Sequence, residues 1–267
     1  TKTKLVKAGD FGVPSLQDYI RTYNLYPLAF DFLSMSIVDF RRFVKKVSGQ
    51  IIDRSYRQWV CGKMTLPYSD LWKVPQRLLS TTYAERVRAV TDALKEAGAA
   101  ATLVSSLDDI AYILGWRGND VPSSPLFLGY LYITERGTAD LFIRSSGVPE
   151  ELAGLTIHDY DDIWAFLAGV NKKPAPTLID PLRTTQRALE YVKEPIFAPN
   201  PSQFQKSVKG PVEIRETKRI HELDALAVFR LWHFVTEHIA KGGEKYTEHE
   251  LAQKVDGFRL ENKDCYG

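Results

Sequence analysis

The chain has 267 residues, of which 44% are hydrophobic and 12% aromatic, and 35 basic against 33 acidic side chains leave a formal net charge of +2. This composition is globular, and the length exceeds what one compact core normally needs, so we expect two or more folding units. The basic residues are spread along the chain, which argues against nucleic acid and membrane as partners.

Cysteine usage points to a reducing compartment. Cys61 and Cys265 lie far apart, which gives neither a disulfide framework nor the spacing of a zinc site, so we expect a cytoplasmic protein. No apolar run approaches the roughly 20 residues that cross a bilayer. The sequence starts without Met and stops directly after a predicted helix, so we expect a piece of a longer polypeptide.

Residues 1–75 alternate predicted helices with predicted strands. In order, these are a helix within 14–25, a strand over 28–32, a helix capped by Ser36 and a strand over 50–53. The proline-containing stretch 64–80 has little periodicity and reads as a linker. We therefore expect part of an α/β domain, because a sheet covered by helices needs more strands than these.

Residues 76–208 predict a second α/β domain. Thr82 and Glu85 form a capping-box pattern that opens a helix ending at Gly98. Further helices are expected after Ser106, over 163–170 and over 185–192. Strands are expected over 101–104, 126–133, 139–143, 155–157 and 177–180, the second and third joined by a hairpin turn.

Residues 209–267 are all helical in pattern. Pro211 begins a long helix that Gly242 and Gly243 end, and Thr247 with Glu250 caps another. No sheet expected in this chain is assigned to cover the apolar stripe of the long helix. The stripe consists of Leu223, Ala227, Leu231 and Val235, with Trp232 beside it. We expect these helices to be poorly buried and to drive self-association.

The usual catalytic patterns are missing. His233 and His238 are five residues apart, whereas a metal pair on a helix needs three or four, so solvated helix histidines are the simpler interpretation. There is no nucleophile elbow and no phosphate loop. The acid pairs Asp108–Asp109 and Asp161–Asp162 are explained by helix capping.

One segment carries more information. Residues 107–121, followed by Pro125 and the aromatic strand, resemble the signature of the middle domain in three-domain Xaa-Pro aminopeptidases of the creatinase/prolidase superfamily. The similarity covers residues 76–267 well and 1–75 loosely. It implies an α/β fold of creatinase/prolidase N-terminal-type domains, each a mixed sheet flanked by helices. Residues 209–267 would then be the first helices of the catalytic pita-bread domain.

The resemblance also implies a function. Such enzymes release the N-terminal residue of peptides with proline second, using two divalent metal ions, usually manganese, held by two aspartates, one histidine and two glutamates. Those ligands belong to the pita-bread domain, and none can be matched to a residue here. We therefore expect no catalytic or metal-binding residue in this chain, an inactive fragment, and a homodimer in the family's manner.

Arg117 and Asp120 are the candidate substrate-binding residues within the signature. The preferred interpretation is structural, in which they pair with each other or with backbone to fix the turn between helix and strand. A non-catalytic relative that binds peptides or proteins is the rival to the enzyme. A prolidase or creatinase is a second alternative, against which the additional α/β domain argues.

Overall fold

The computed structural model describes residues 5–7, 9–55, 65–145, 147–263 and 265. The helices are α1 (Leu16–Thr22), α2 (Ile37–Val44), α3 (Tyr83–Glu96), α4 (Leu107–Leu114), α5 (Ile163–Val170), α6 (Gln186–Leu189), α7 (Pro201–Ser207), α8 (Pro211–Phe234) and α9 (Glu248–Leu260). The strands are β1 (Leu28–Phe30), β2 (Ile51–Asp53), β3 (Trp72–Lys73), β4 (Ala101–Val104), β5 (Trp116–Arg117), β6 (Gly129–Thr134), β7 (Ala139–Ile143), β8 (Leu155–Asp159), β9 (Thr177–Ile179) and β10 (Pro195–Phe197).

The chain divides into two compact units. The first combines Thr1–Lys73 with Tyr83–Ser207, and the second combines Val74–Thr82 with Val208–Gly267. The first unit contains the sheets, and the second is built from helices. The three-part division at residues 75 and 208 stays a prediction.

The N-terminal part of the first unit is a small βαβ element. Strands β1 and β2 pair in parallel, and α2 connects them. The Ser36 hydroxyl accepts a hydrogen bond from the Asp39 N–H, which confirms the predicted cap. Ile37 is completely buried and belongs to the core of the larger sheet. The βαβ element is therefore fixed to that sheet by both packing and hydrogen bonds, including Ile37 N–H to Thr184 O at 3.0 Å.

The larger sheet has six strands in the order β10-β9-β4-β6-β7-β8. Strand β6 runs antiparallel to both of its neighbours, and the other pairs are parallel. Five strands consequently end at one edge, where β6 begins. The mixed sheet flanked by helices confirms the predicted α/β class.

Alternation along β6 divides the core between the two faces of the sheet. Leu131 and Ile133 pack with α3 and α4 on one face, whereas Tyr130 and Tyr132 pack toward α5 on the other. All four are at most 8% exposed. This pattern requires helices on both faces, which is the reason the aromatic strand predicted from sequence becomes the centre of the domain.

The second unit joins α8 to α9 through polar contacts. Arg259 Nε donates to Asp224 Oδ1 at 2.7 Å, and Arg230 forms two hydrogen bonds with Glu261. The predicted capping box of Thr247 and Glu250 is confirmed. In α8, Ala227 is 3% exposed but Trp232 is 59% exposed. The prediction of poorly buried helices is therefore confirmed, and self-association stays a prediction.

Several element boundaries differ from the sequence-based expectation. Helix α6 is shorter than the predicted 185–192. The N–H groups of Tyr191 and Val192 donate to carbonyls three residues earlier in the chain, which forms tight turns and does not extend the α-helix. The strand expected from 126 begins at Gly129 because Leu128 donates its N–H to the Asp120 side chain. Strand β10 and helix α7 were not predicted.

Two other expectations concern single features. Cys265 is a free thiol, and Cys61 lies outside the described residues, as does Met64 at the start of the expected linker. In the part of the chain that the structure describes, no helix is both long and apolar enough to cross a membrane.

Candidate functional site

The signature segment folds as a helix, a left-handed cap and a short strand. Helix α4 ends at Gly115, whose φ of 71° is left-handed and whose N–H bonds to the carbonyls of Ala111 and Tyr112. Trp116 follows in β5 and is completely buried, although its indole N–H has no hydrogen-bond partner among the described residues. The cap therefore turns the chain so that the tryptophan enters the core and Arg117 emerges beside it.

Gly118 explains why the turn after Arg117 requires a residue without a side chain. A Cβ at this position would lie 2.8 Å from the Phe127 Cβ and 3.1 Å from Leu71. Ser69, from the segment preceding β3, bonds to the turn twice: its hydroxyl accepts from the Asn119 N–H and donates to Asp120. The turn is thus held against residues that precede the domain in sequence.

One nitrogen of the Arg117 guanidinium donates hydrogen bonds to the backbone. Its Nη1 donates to the carbonyls of Ala111 and Trp116 at 2.9 and 2.8 Å. Burial lowers the pKa of the Arg117 guanidinium from its ordinary value. Among the described residues nothing accepts a hydrogen bond from Nε or Nη2, so these donors remain available to another group.

Asp120 is 7% exposed and uses both carboxylate oxygens within the protein. Oδ1 accepts from the Ser69 hydroxyl at 2.7 Å, and Oδ2 accepts from the Leu128 N–H at 2.8 Å. A carboxylate that accepts two internal hydrogen bonds at a buried position fixes the loop that it spans. The contacts of Arg117 and Asp120 favour the structural interpretation through backbone bonds. Within the described chain, they do not pair with each other.

A second polar cluster lies at the start of α4, and sequence reasoning missed it. Lys206, from α7, donates to Asp109 Oδ1 at 2.8 Å and also bonds to Asp108. Arg183 donates to the Ser106 hydroxyl at 3.0 Å, and that hydroxyl donates to Asp108. Asp109 is completely buried. We call Ser106, Asp108, Asp109, Arg183 and Lys206 the Lys206 cluster.

The Lys206 cluster corrects the capping explanation of the acid pairs. The side chain of Ser106 makes no cap hydrogen bond, and Asp109 forms a buried ion pair in place of a cap. At the pair Asp161–Asp162, the capping side chain is that of Asp159, which accepts a hydrogen bond from the Asp161 N–H. The cap therefore lies before the pair and not within it. Sequence could not find this because the partner Lys206 is 97 residues from Asp109.

The charges in the cluster support one another. Burial alone would raise the pKa of Asp108, but the hydrogen bonds from Lys206 and Ser106 and the nearby positive charges outweigh it and lower that pKa. Burial alone would lower the pKa of Lys206, and the two aspartates raise it above its ordinary value. Asp108 and Lys206 are therefore both ionised near neutral pH.

The histidines divide into two environments. His221, His233, His238 and His249 are exposed on helices of the second unit, which confirms the interpretation as solvated histidines. His158 differs, because its Nε2 lies 2.8 Å from Asp140 Oδ1 and its ring stacks on Phe142. The sequence pattern gave no signal for this pair, since the two residues lie on neighbouring strands 18 positions apart.

The donor groups that the structure describes are dispersed or already paired. Across residues 5–7, 9–55, 65–145, 147–263 and 265, no three His, Cys, Asp or Glu side chains come close enough to hold a metal ion. The donors in the Lys206 cluster are already occupied by cationic side chains. The described residues therefore do not fit a two-metal centre.

The sequence is similar to known aminopeptidases over most of its length. Xaa-Pro aminopeptidase 1 of Dictyostelium discoideum is 25% identical over 209 residues, which cover 74% of this chain and 33% of that protein. Aminopeptidase P2 of Arabidopsis thaliana is 28% identical over 213 residues, covering 66% of this chain and 30% of that protein. The chain thus spans about a third of the length of these relatives.

The fold also matches a solved structure, the X-prolyl aminopeptidase from Caenorhabditis elegans, a cytosolic enzyme with a di-nuclear active site. The TM-score is 0.80 at 20% sequence identity, covering 97% of this chain and 45% of that chain. A family model for the Creatinase/Prolidase N-terminal domain matches residues 63–213, more than half of the sequence and including the signature segment. The chain belongs to the Creatinase/Prolidase N-terminal domain family.

Proposed function

We propose that this chain is the front part of a metal-dependent Xaa-Pro aminopeptidase, which releases the N-terminal residue from peptides with proline in second position. The observation that carries the proposal is the family match over residues 63–213 together with relatives named Xaa-Pro aminopeptidase 1 and Aminopeptidase P2. The matched region contains Arg117 and Asp120, which we propose as the residues through which this part acts on substrate binding.

The two residues have different roles in the proposal. Arg117 is the candidate for direct substrate contact, because Nε and Nη2 of its guanidinium have no acceptor in the described chain and could bind a carbonyl or carboxylate. Asp120 is a positioning residue, because one of its carboxylate oxygens accepts from the Ser69 hydroxyl and the other accepts from the Leu128 N–H. The domain would then shape the edge of a substrate cleft or a subunit contact.

The remaining parts of the proposal concern the complete enzyme. We propose two divalent metal ions, manganese in the first instance, bound by ligands outside this chain. The di-nuclear active site of the Caenorhabditis elegans neighbour supports the number of ions. We also propose a homodimer and a cytoplasmic location; the second is supported by the widely spaced cysteines and by the cytosolic neighbour.

The proposal is tested by comparing the 267-residue chain with the longer protein that contains it. Both are assayed on a tripeptide with proline second and on a matched tripeptide with alanine second, with and without Mn²⁺. We expect proline-dependent turnover by the longer protein with metal and none by the 267-residue chain. A longer protein that binds the peptides without cleaving them would instead support the non-catalytic peptide-binding alternative.

A further inference from the structure

A cavity of about 560 Å³ lies at the edge of the six-stranded sheet where β7 and β8 end. These strands are parallel, so Arg144 and Asp159, which end or directly follow them, reach the same edge. Carboxyl ends of parallel strands are the usual place for ligands in α/β sheets. We call the cavity the Arg144 pocket and define it by six of its residues: Tyr68, Ile143, Arg144, Val148, Ile157 and His158.

Arg144 places a positive charge at the pocket. Its side chain is half-buried, yet no described residue accepts a hydrogen bond from the guanidinium or lies within ion-pair distance. By contrast, Arg183 and Arg187 in the same unit each contact an aspartate. A half-buried guanidinium usually has a partner, and its fork of donors matches a carboxylate.

His158 offers a second, oriented polar group. Asp140 holds its Nε2, and Phe142 stacks on its ring with centroids 4.7 Å apart at an angle of 16°. No described residue bonds to Nδ1. With one nitrogen fixed and the ring plane set by stacking, Nδ1 is the polar atom that this side chain can present to a ligand.

The other groups of the pocket limit what it can bind. Ile143, Val148 and Ile157 provide aliphatic surface, and Tyr68 adds a half-exposed ring. The hydroxyl of Ser145 bonds to the backbone of Gly147 and is not available. The carboxylate of Asp159 at the same cavity offsets the charge of Arg144, so a dianion such as phosphate would be repelled where a monoanion is tolerated.

We propose that the Arg144 pocket binds a monoanionic carboxylate adjoining an apolar group, as at the C-terminus of a peptide that ends in an aliphatic residue. Arg144 binds the carboxylate, the aliphatic wall receives the side chain, and His158 Nδ1 meets a neighbouring polar atom. The cavity falls within the roughly 300–1,000 Å³ of small-molecule sites. This site is independent of the proposed peptidase activity, because it needs neither the metal nor turnover.

The test is titration of the 267-residue chain with N-acetyl-Leu-Leu, followed by two-dimensional amide NMR. Its C-terminal amide and 4-methylpentanoate serve as comparison ligands. We expect saturable binding that shifts the amides of Arg144 and Ile157, and at least about tenfold weaker binding of the amide, which corresponds to about 1.4 kcal/mol. If 4-methylpentanoate binds more weakly than N-acetyl-Leu-Leu, the site is one for peptides. If the two bind equally well, the site is one for small carboxylic acids.

Variants separate the Arg144 charge from general effects. Arg144→Gln should weaken binding of N-acetyl-Leu-Leu at least about tenfold without changing the melting temperature. Arg136→Gln is the matched control, because Arg136 is exposed in the hairpin at the opposite end of β7. Three results would each overturn the proposal. The first is equal binding of the acid and its amide, and the second is unchanged binding in Arg144→Gln. The third is no saturation at about 10 mM ligand, which corresponds to a binding free energy weaker than roughly 3 kcal/mol.

Discussion

Replacing Lys206 with Met should destabilise the first unit, because it removes the cation that neutralises a completely buried carboxylate. Asp109 is 0% exposed, its Oδ1 lies 2.8 Å from the Lys206 ammonium, and no described residue donates a hydrogen bond to its Oδ2. Removing one partner of a buried ion pair costs about 3–5 kcal/mol. The Lys206 side chain is 31% exposed, so we expect the lower end of that range, ~3 kcal/mol.

The loss is measured by thermal denaturation followed by circular dichroism. For a unit of this size, ~3 kcal/mol corresponds to a melting temperature lower by roughly 6–12 °C. Lys172→Met is the matched control, because Lys172 is exposed and its ammonium has no ion-pair partner in the described chain. Adding Asp109→Asn to Lys206→Met should restore part of the loss, since the buried charge is gone. A Lys206→Met variant that melts within about 1 °C of the control would refute this account.

Further predictions concern pH, two loop positions and metal binding. The pKa of Asp108 is lowered on folding and that of Lys206 is raised, so their contribution should be present between about pH 4 and pH 10. This contribution to stability should disappear as pH falls through the folded pKa of Asp108 or rises through the folded pKa of Lys206. If the wild-type protein and Lys206→Met had the same dependence of unfolding free energy on pH, the prediction would be wrong. Asp120→Ala should lower the free energy of unfolding in urea by ~2 kcal/mol, because it leaves the part-buried Leu128 N–H without its acceptor. A loss below ~0.5 kcal/mol would count against that role. Gly115→Ala should cost ~1–2 kcal/mol because φ is 71°, whereas Gly169→Ala in α5, with no neighbour within 4 Å of the new Cβ, should not destabilise. Calorimetric titration of the chain with Mn²⁺ should give no tight binding, since its described donors form no cluster; submicromolar affinity would show that a site exists.

Local chemistry in the sequence accounts for much of the fold. The Ser36 cap, the capping box at Thr247 and the left-handed glycine at Gly98 each act within a few residues, so their sequence patterns are sufficient to predict helix ends. The two aromatic-rich segments and the turn chemistry of residues 135–138 between them also identified the central hairpin of the sheet. These features depend on neighbours along the chain and are therefore visible without a structure.

Long-range polar contacts account for what the sequence could not predict. Helix α7 has no apolar stripe, and its only buried residue is Ser202. Its side chains instead reach distant carboxylates, since Lys206 bonds to the aspartates of α4. The candidate site shows the same division. Arg117 and Asp120 were found through a resemblance, but Ser69, which bonds to Asp120, lies in a segment whose sequence predicts only a linker.

The direction of β6 concentrates the polar chemistry of the first unit at one edge of its main sheet. Because the other five strands run opposite to β6, the segments after β4 and β9 share that edge with the Arg144 pocket after β7 and β8. At the β9 end, Ile37 and Val38 bond to the backbone of the segment after β9, so that end is used for packing the N-terminal βαβ element. The β7–β8 end instead has a cavity and the Arg144 guanidinium, which bonds to no residue that the structure describes. Substitutions at the β9 end should therefore change stability, whereas Arg144→Gln should change binding and leave the melting temperature unaltered.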